Sequence, residues 1–291
     1  MNRLVTLEKM PVMAHLVLGY PNLEESLRTA EIYIRAGVQV LELQIPFSHP
    51  TADGPVITEA CREAVRQGVT VQDCIEAIRH LREQFPEQEI VVMSYLNRIY
   101  SFGFQKFMEE MEGLGIRHLI VPDLPVGDFF AQQLTSRVIP SEARNLRKMP
   151  NEKGTQIPRF ARNDTKTEVK LVPVLAANVS DIRLENLLGM GFDFFYLMSD
   201  FKITGSTFSL HPRLKRLIAK IKSGGDSKSP PDLPRVGIGF GISSPEQARL
   251  VTEEADLAII GSALIQAQRE GRLNKYLAEL KNAFAAATAR A

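Results

Sequence analysis

Glu42 and Asp53 are the residues of this 291-residue chain whose setting most suggests chemistry. Glu42 lies in the run Leu41-Glu42-Leu43-Gln44-Ile45, which continues Pro46-Phe47-Ser48-His49-Pro50-Thr51-Ala52-Asp53-Gly54-Pro55. Side chains alternate along a strand, so Leu41, Leu43 and Ile45 share one face and Glu42 and Gln44 the other. With the apolar face against helices, Glu42 points into the interior of a sheet. An unpaired carboxylate there is costly unless it is protonated or partnered. A carboxyl group kept in such a place suits general acid/base work, and it is equally compatible with capping neighbouring backbone groups. Asp53-Gly54, taken alone, reads as an ordinary turn.

Two further stretches carry chemical potential. Gly239-Phe240-Gly241-Ile242-Ser243 follows one apolar run, and Ile260-Gly261-Ser262-Ala263 ends another and opens a helix. Glycine turns let backbone N–H groups approach an anion, and a helix N-terminus adds favourable dipole charge, so the pair points to a phosphate. The third stretch, Tyr196 through Ser206, contains Asp200, Lys202, Thr204 and Gly205 and has the position of a lid loop.

The elements that would position these residues alternate regularly. Eight short apolar runs, Val12–Gly19, Val40–Ile45, Ile90–Tyr95, His118–Asp123, Lys170–Leu175, Phe194–Ser199, Arg235–Gly241 and Leu257–Ser262, read as strands buried on both faces. Between them run amphipathic helices. Phe104, Phe107, Met108 and Met111 fall at helical spacing, as do Leu214, Leu217, Ile218 and Ile221, and core packing explains both stripes. Asn22 with Glu25, and Ser244 with Pro245 and Gln247, mark helix starts. Eight strand–helix units with right-handed crossovers predict a single (β/α)₈ TIM barrel over residues 1–291, with active residues at the C-terminal ends of the strands. An open doubly wound sheet is the structural alternative, but no GxGxxG follows the first strand.

Composition excludes several classes. The chain is 44% hydrophobic and 24% charged with a net charge of +1, which gives no reason to expect nucleic acid or an acidic membrane as partner. Its two cysteines, Cys61 and Cys74, have no metal-like spacing and fit a cytoplasmic protein. No metal site is expected, and no run approaches a membrane span.

Two segments break the rhythm. Residues 224–234 read as a Gly/Ser/Pro linker, and residues 136–167 carry eight Lys/Arg against three Asp/Glu with no clean period. The second reads as an acquired, disordered insertion on the face away from the site. Val138-Ile139-Pro140-Ser141-Glu142-Ala143-Arg144 can be written in codons whose reverse complement encodes Pro158-Arg159-Phe160-Ala161-Arg162-Asn163-Asp164. It resembles a translated palindromic DNA repeat.

The stretch from Leu41 to Pro55 resembles the signature of the tryptophan synthase alpha subunit family. Ile120-Val121-Pro122-Asp123-Leu124-Pro125, Gly239–Ser243 and Gly261-Ser262-Ala263 agree with it in order and spacing. The resemblance implies cleavage of indole-3-glycerol phosphate to indole and glyceraldehyde 3-phosphate by a retro-aldol reaction without a cofactor. It gives Glu42 the role of acid/base at the indole ring carbon and Asp53 that of acceptor for the indole N–H. Tyr95 would line the indole pocket, Tyr196 would stand near the glutamate, and Thr204 of the lid would meet the aspartate. Gly205, Gly239, Gly241, Gly261 and Ser262 would hold the phosphate. The implied partner is a tryptophan synthase beta subunit, two of each in a heterotetramer, with pyridoxal phosphate only in the beta subunit.

The chain also departs from the pattern. Gln44 stands where the family has glycine, on the face of Glu42, so an extra side chain would enter the pocket. His15 stands where an aromatic residue usually lines the indole site, and reads as a packed residue. His49 replaces an aspartate in a stretch that meets the beta subunit. Asp200 and Lys202 replace arginine and glycine of the lid. These departures leave two alternatives open: a degenerate or regulatory alpha-like subunit, and a phosphate-binding barrel enzyme with a changed substrate.

Overall fold

All eight apolar runs become parallel strands, and one of them is broken in two. The computed structural model describes residues 9–124, 169–198, 210–224, 233–239 and 241–288. Its strands are β1 (Met10–Val17), β2 (Val38–Gln44), β3 (Glu89–Met93), β4 (His118–Ile120), β5 (Lys170–Leu171), β6 (Val174–Ala176), β7 (Phe194–Met198), β8 (Arg235–Gly239) and β9 (Leu257–Ile260). They lie in the order β5-β4-β3-β2-β1-β9-β8-β7-β6. Lys170–Leu175, expected as one strand, is interrupted at Pro173, which has no N–H to donate to a ladder. Val172 N–H still donates to Leu119 O at 2.9 Å on the β4 side, and Pro173 O accepts from Tyr196 N–H at 2.9 Å on the β7 side. The one broken segment thus touches both ends of the sheet and closes it into the (β/α)₈ barrel.

The described helices are α1 (Leu23–Ala36), α2 (Pro55–Arg66), α3 (Val71–Gln84), α4 (Leu96–Phe102), α5 (Phe104–Gly113), α6 (Asp181–Gly189), α7 (Pro212–Lys222), α8 (Pro245–Val251), α9 (Ser262–Arg269) and α10 (Leu273–Thr288). Their starts follow the side chains read from sequence. Asn22 Oδ1 accepts the Glu25 N–H at 2.9 Å, and Ser244 with Gln247 forms a capping box with Pro245 in the first turn. The expected stripes face inward: Phe107, Met108 and Met111 of α5 and Leu214, Leu217, Ile218 and Ile221 of α7 are buried.

Strand alternation sorts the apolar side chains into two layers. Leu41, Leu43 and Ile45 pack outward with Ile75, Ile78 and Leu81 of α3. Met13, Val40, Val91, Met93, Ile120, Phe194, Leu257 and Ile259 fill the barrel interior. Each such side chain contributes about 1.5–3 kcal/mol on burial. The two layers fix which way Glu42 faces: it has the parity of Val40 and is only 3% exposed.

Charged groups close the end of the barrel away from the site. Asp193, just before β7, meets Lys170 Nζ at 2.8 Å and His118 Nε2 at 3.1 Å, joining β4, β5 and β7. The His118 contact, and after it Lys170, holds the Asp193 carboxyl well below its usual range in spite of burial. Arg235, at the start of β8, donates to both carboxylate oxygens of Glu89 on β3, at 2.7 and 3.0 Å. The segment 136–167 lies outside the described residues, as does 225–232 within the linker.

Candidate functional site

A cavity of about 430 Å³ opens at the C-terminal ends of the strands. Its wall brings together Glu42 and His15, Asp53 from the loop after β2, Tyr196 of β7, Gly241, Gly261 and Ser262. Met93, Ile120, Val174 and Ile259 supply apolar surface between them. The room suits a small organic ligand, with a few polar groups placed to orient it.

Asp53 is held from two sides. Gln44 Nε2 donates to its Oδ2 at 2.6 Å, and Tyr95 Oη donates to the same oxygen at 3.0 Å. The Tyr95 hydroxyl also accepts the Ala52 N–H at 3.0 Å, which fixes the loop that carries the aspartate. Burial raises the proton affinity of Asp53, and the nearby charge of His15 with the bonds from Gln44 and Tyr95 opposes the rise. Tyr95 itself is fully buried and stands behind Asp53, outside the lining of the cavity.

His15 is a close partner of Glu42, with its Nδ1 3.3 Å from Glu42 Oε1. The other oxygen, Oε2, is buried and carries no hydrogen bond among the described residues. His15 is 4% exposed. Burial acts to lower its proton affinity, but the charge and hydrogen bond of Glu42, helped by the charge of Asp53, raise it above 6.5. The Tyr196 hydroxyl is held strongly in its protonated form by burial and by the charges of Glu42 and Asp53.

The glycines divide by function. A Cβ at Gly239 would run into the Tyr196 hydroxyl and lie 2.6 Å from Tyr196 Cζ, so this glycine makes room for the tyrosine ring. Gly241 lines the cavity with φ +78°, a backbone region that favours glycine. A Cβ at Gly261 would press on Ile57 Cδ1 at 3.1 Å and His15 Cβ at 3.4 Å. Gly261 caps α9, whose first turn, Ser262 and Ala263, borders the cavity. The first N–H groups of a helix have no partner within it, so this end of the cavity offers donors to an anion.

Thr204 and Gly205 of the expected lid, with Asp200 and Lys202, lie outside the described residues. His49 is exposed, with its Nδ1 2.9 Å from Ser48 Oγ. Gln44 faces the barrel interior as alternation requires, but its amide is committed to Asp53 and the residue does not line the cavity. Sequence reading missed the engagement of His15 with Glu42. The clue was available only in register, since His15 and Glu42 are direct partners across the β1–β2 ladder.

Comparison with known proteins shows the family to which this fold belongs. A family model for the tryptophan synthase alpha chain matches residues 1–139 and 146–289. The tryptophan synthase alpha chain of Dehalococcoides mccartyi is 30% identical over 255 residues, covering 88% of this chain and 86% of that one. A solved structure of Mycobacterium tuberculosis tryptophan synthase contains a chain that superposes with a TM-score of 0.71 at 25% identity, covering 94% of this chain and 91% of that one. The tryptophan synthase A-subunit of Pyrococcus furiosus superposes with a TM-score of 0.69 at 27% identity, covering 92% and 96%. The chain belongs to the tryptophan synthase alpha chain family.

Proposed function

We propose that this chain is an alpha-type lyase that cleaves indole-3-glycerol phosphate to indole and glyceraldehyde 3-phosphate. The observation that carries the reading is a pair of carboxylates, the buried Glu42 and the half-buried Asp53, on one cavity that a glycine turn and a helix N-terminus also line. Asp53 accepts the indole N–H and stabilises the positive charge that builds on that nitrogen. Glu42 gives a proton to the indole ring carbon that bears the side chain, and takes the proton of the neighbouring hydroxyl. The carbon–carbon bond then breaks, its electrons return to the ring, and the hydroxyl carbon becomes the aldehyde. The protonated ring is its own electron sink, so this chain needs no organic cofactor or metal. Gly241, Gly261 and Ser262 face the phosphate. The family resemblance gives Gly205 a part in the same phosphate site and Thr204 a part at Asp53, and both lie outside the described residues. Tyr95 supports Asp53 from behind, and Gly239 seats Tyr196 beside Glu42.

The partner is a tryptophan synthase beta subunit in a heterotetramer of two alpha and two beta chains, with pyridoxal phosphate in the beta subunit. The exposed loop around His49 belongs to the face that meets it. The working compartment is the cytoplasm, and among the described residues no helix is long and apolar enough to cross a membrane. The test is direct: incubate the purified chain with indole-3-glycerol phosphate, with and without a beta subunit, and measure indole. Indole above background, increased by the beta subunit, is the expected result. No indole in either arm would end the lyase reading and favour a non-catalytic or differently selective barrel.

A further inference from the structure

His15 and Gln44 are two side chains that depart from the family pattern, and each is engaged with one of the two carboxylates. Gln44 holds Asp53 at 2.6 Å, and His15 meets Glu42 at 3.3 Å. We propose that His15 is a positioning residue for the lyase reaction: His15 and Glu42 together hold one proton, and this pair, rather than Glu42 alone, exchanges it with the substrate. The inference rests on the lyase reading above.

Geometry supports the pairing from three sides. The two residues are register partners on adjacent parallel strands, so the backbone sets their approach. Their side chains are 5% and 4% exposed, so water competes little for either. Glu42 Oε2 carries no hydrogen bond among the described residues although it is buried. A buried carboxylate oxygen without a donor is costly, and a ligand in the cavity would relieve that cost. One oxygen therefore serves the histidine and the other is left for the substrate.

The charges around the ring favour a shared proton. Glu42 of β2 and Asp53 of the following loop are both acidic, and Tyr196 of β7 stays neutral. Gln44 adds its amide dipole from β2, while β9 brings Ile259 and the turn and helix after it bring Gly261, Ser262, Ala263 and Gln266, none of them charged, to the cavity wall. Two carboxylates that line one cavity, Glu42 buried and Asp53 half-buried, repel each other, and an imidazolium beside them offsets one charge. The proton count closes over a turnover. The pair delivers its proton from Glu42 to the ring carbon, the carbon–carbon bond breaks toward the ring, and Glu42 recovers a proton from the hydroxyl as the aldehyde forms. Because the two groups titrate together, the pH at which activity is lost belongs to the pair.

The test compares pH profiles of kcat/KM, from indole release, for the wild type, His15→Phe and His15→Asn. Loss of the pair's proton ends activity on the alkaline side, so the wild-type limb lies above pH 6.5, the ordinary histidine value. In both variants the limb moves down by about one pH unit or more. His15→Asn keeps an amide donor for Glu42 without an ionisable ring, so its shift separates the proton from the hydrogen bond. An active wild type whose limb stays in place in the folded variants overturns the proposal. If the wild type makes no indole at any pH, the lyase reading fails, and the pair is then read by NMR titration of the His15 ring. Its midpoint falls by about one unit or more in Glu42→Gln if the two share a proton. An unchanged midpoint overturns the pair by itself.

Discussion

Replacing Gly239 by alanine tests whether that glycine exists for Tyr196. The added Cβ would overlap the Tyr196 hydroxyl and stand 2.6 Å from Cζ and 2.9 Å from Cε1. Carbon atoms rest at about 3.5–4.0 Å, so the ring must retreat by roughly 1 Å. Forcing one methyl group into a packed interior costs about 1–3 kcal/mol. Truncating the ring alone, as Tyr196→Ala, costs about 3 kcal/mol for a partly buried aromatic. In the double variant the new methyl meets no ring, so its cost vanishes and the two changes couple by about 1–3 kcal/mol. The assay is urea unfolding of the wild type, both single variants and the double variant, followed by circular dichroism. Additivity within about 0.5 kcal/mol would refute the reasoning. It would mean that Tyr196 has another place to go, and that Gly239 is a glycine for a different reason.

Three further outcomes follow from the site and the barrel. Glu42→Gln lowers kcat by about 10²–10⁴-fold with an unchanged circular dichroism spectrum, and retention of more than about a tenth of wild-type activity would remove Glu42 from acid/base work. Asp193 has a depressed proton affinity when folded, so its stabilisation is complete above its ordinary value of 3.8 and is lost as the pH falls through the lower folded value. Asp193→Asn therefore lowers the melting temperature at pH 7 and closes on the wild type toward pH 2, and an equal deficit at both pH values contradicts the ion-pair account. If residues 136–167 are an acquired insertion, replacing them by a short Gly/Ser turn preserves activity and soluble expression, since the cost of closing a loop depends only weakly on its length. A loss of either would show that the segment has been recruited into the fold, and unrelated codons at 138–144 and 158–164 in the gene would remove the inverted-repeat origin.

Legibility in the sequence followed the range of the interactions concerned. The strands were visible because a strand buried on both faces needs a short apolar run, and Leu41, Leu43 and Ile45 show their parity without any partner. Helix starts were visible for the same local reason: Asn22 and Ser244 act within three residues. Pro173 was also local evidence, yet Lys170–Leu175 read as one strand because the apolar residues on both sides outweighed it. Other contacts span too much chain to be read this way. Arg235 and Glu89 are 146 residues apart, and Asp53 finds Tyr95 across 42. The His15–Glu42 contact depends on the register of β1 against β2, and a slip of one residue would have turned the ring outward. A packed histidine was the natural reading until that register was known.

The interruption at Pro173 bears on how the barrel responds to force and heat. The strands from β1 to β4 and from β7 to β9 each pair with a neighbour on both sides, like staves held by a hoop. At β5 and β6 the hoop is spliced: the lower half is fastened to β4, the upper half to β7, and a residue without an N–H sits between them. Tension entering from the chain ahead of Lys170 reaches the lower half first. There it is borne by two paired residues and the contact of Lys170 with Asp193. The upper half, whose Val174 borders the cavity, keeps its own anchorage on β7. Amide hydrogen exchange should therefore begin at Lys170 and Leu171 while Val174 and Leu175 remain protected. The splice keeps strain that enters from the chain between β4 and β5 away from the reacting end.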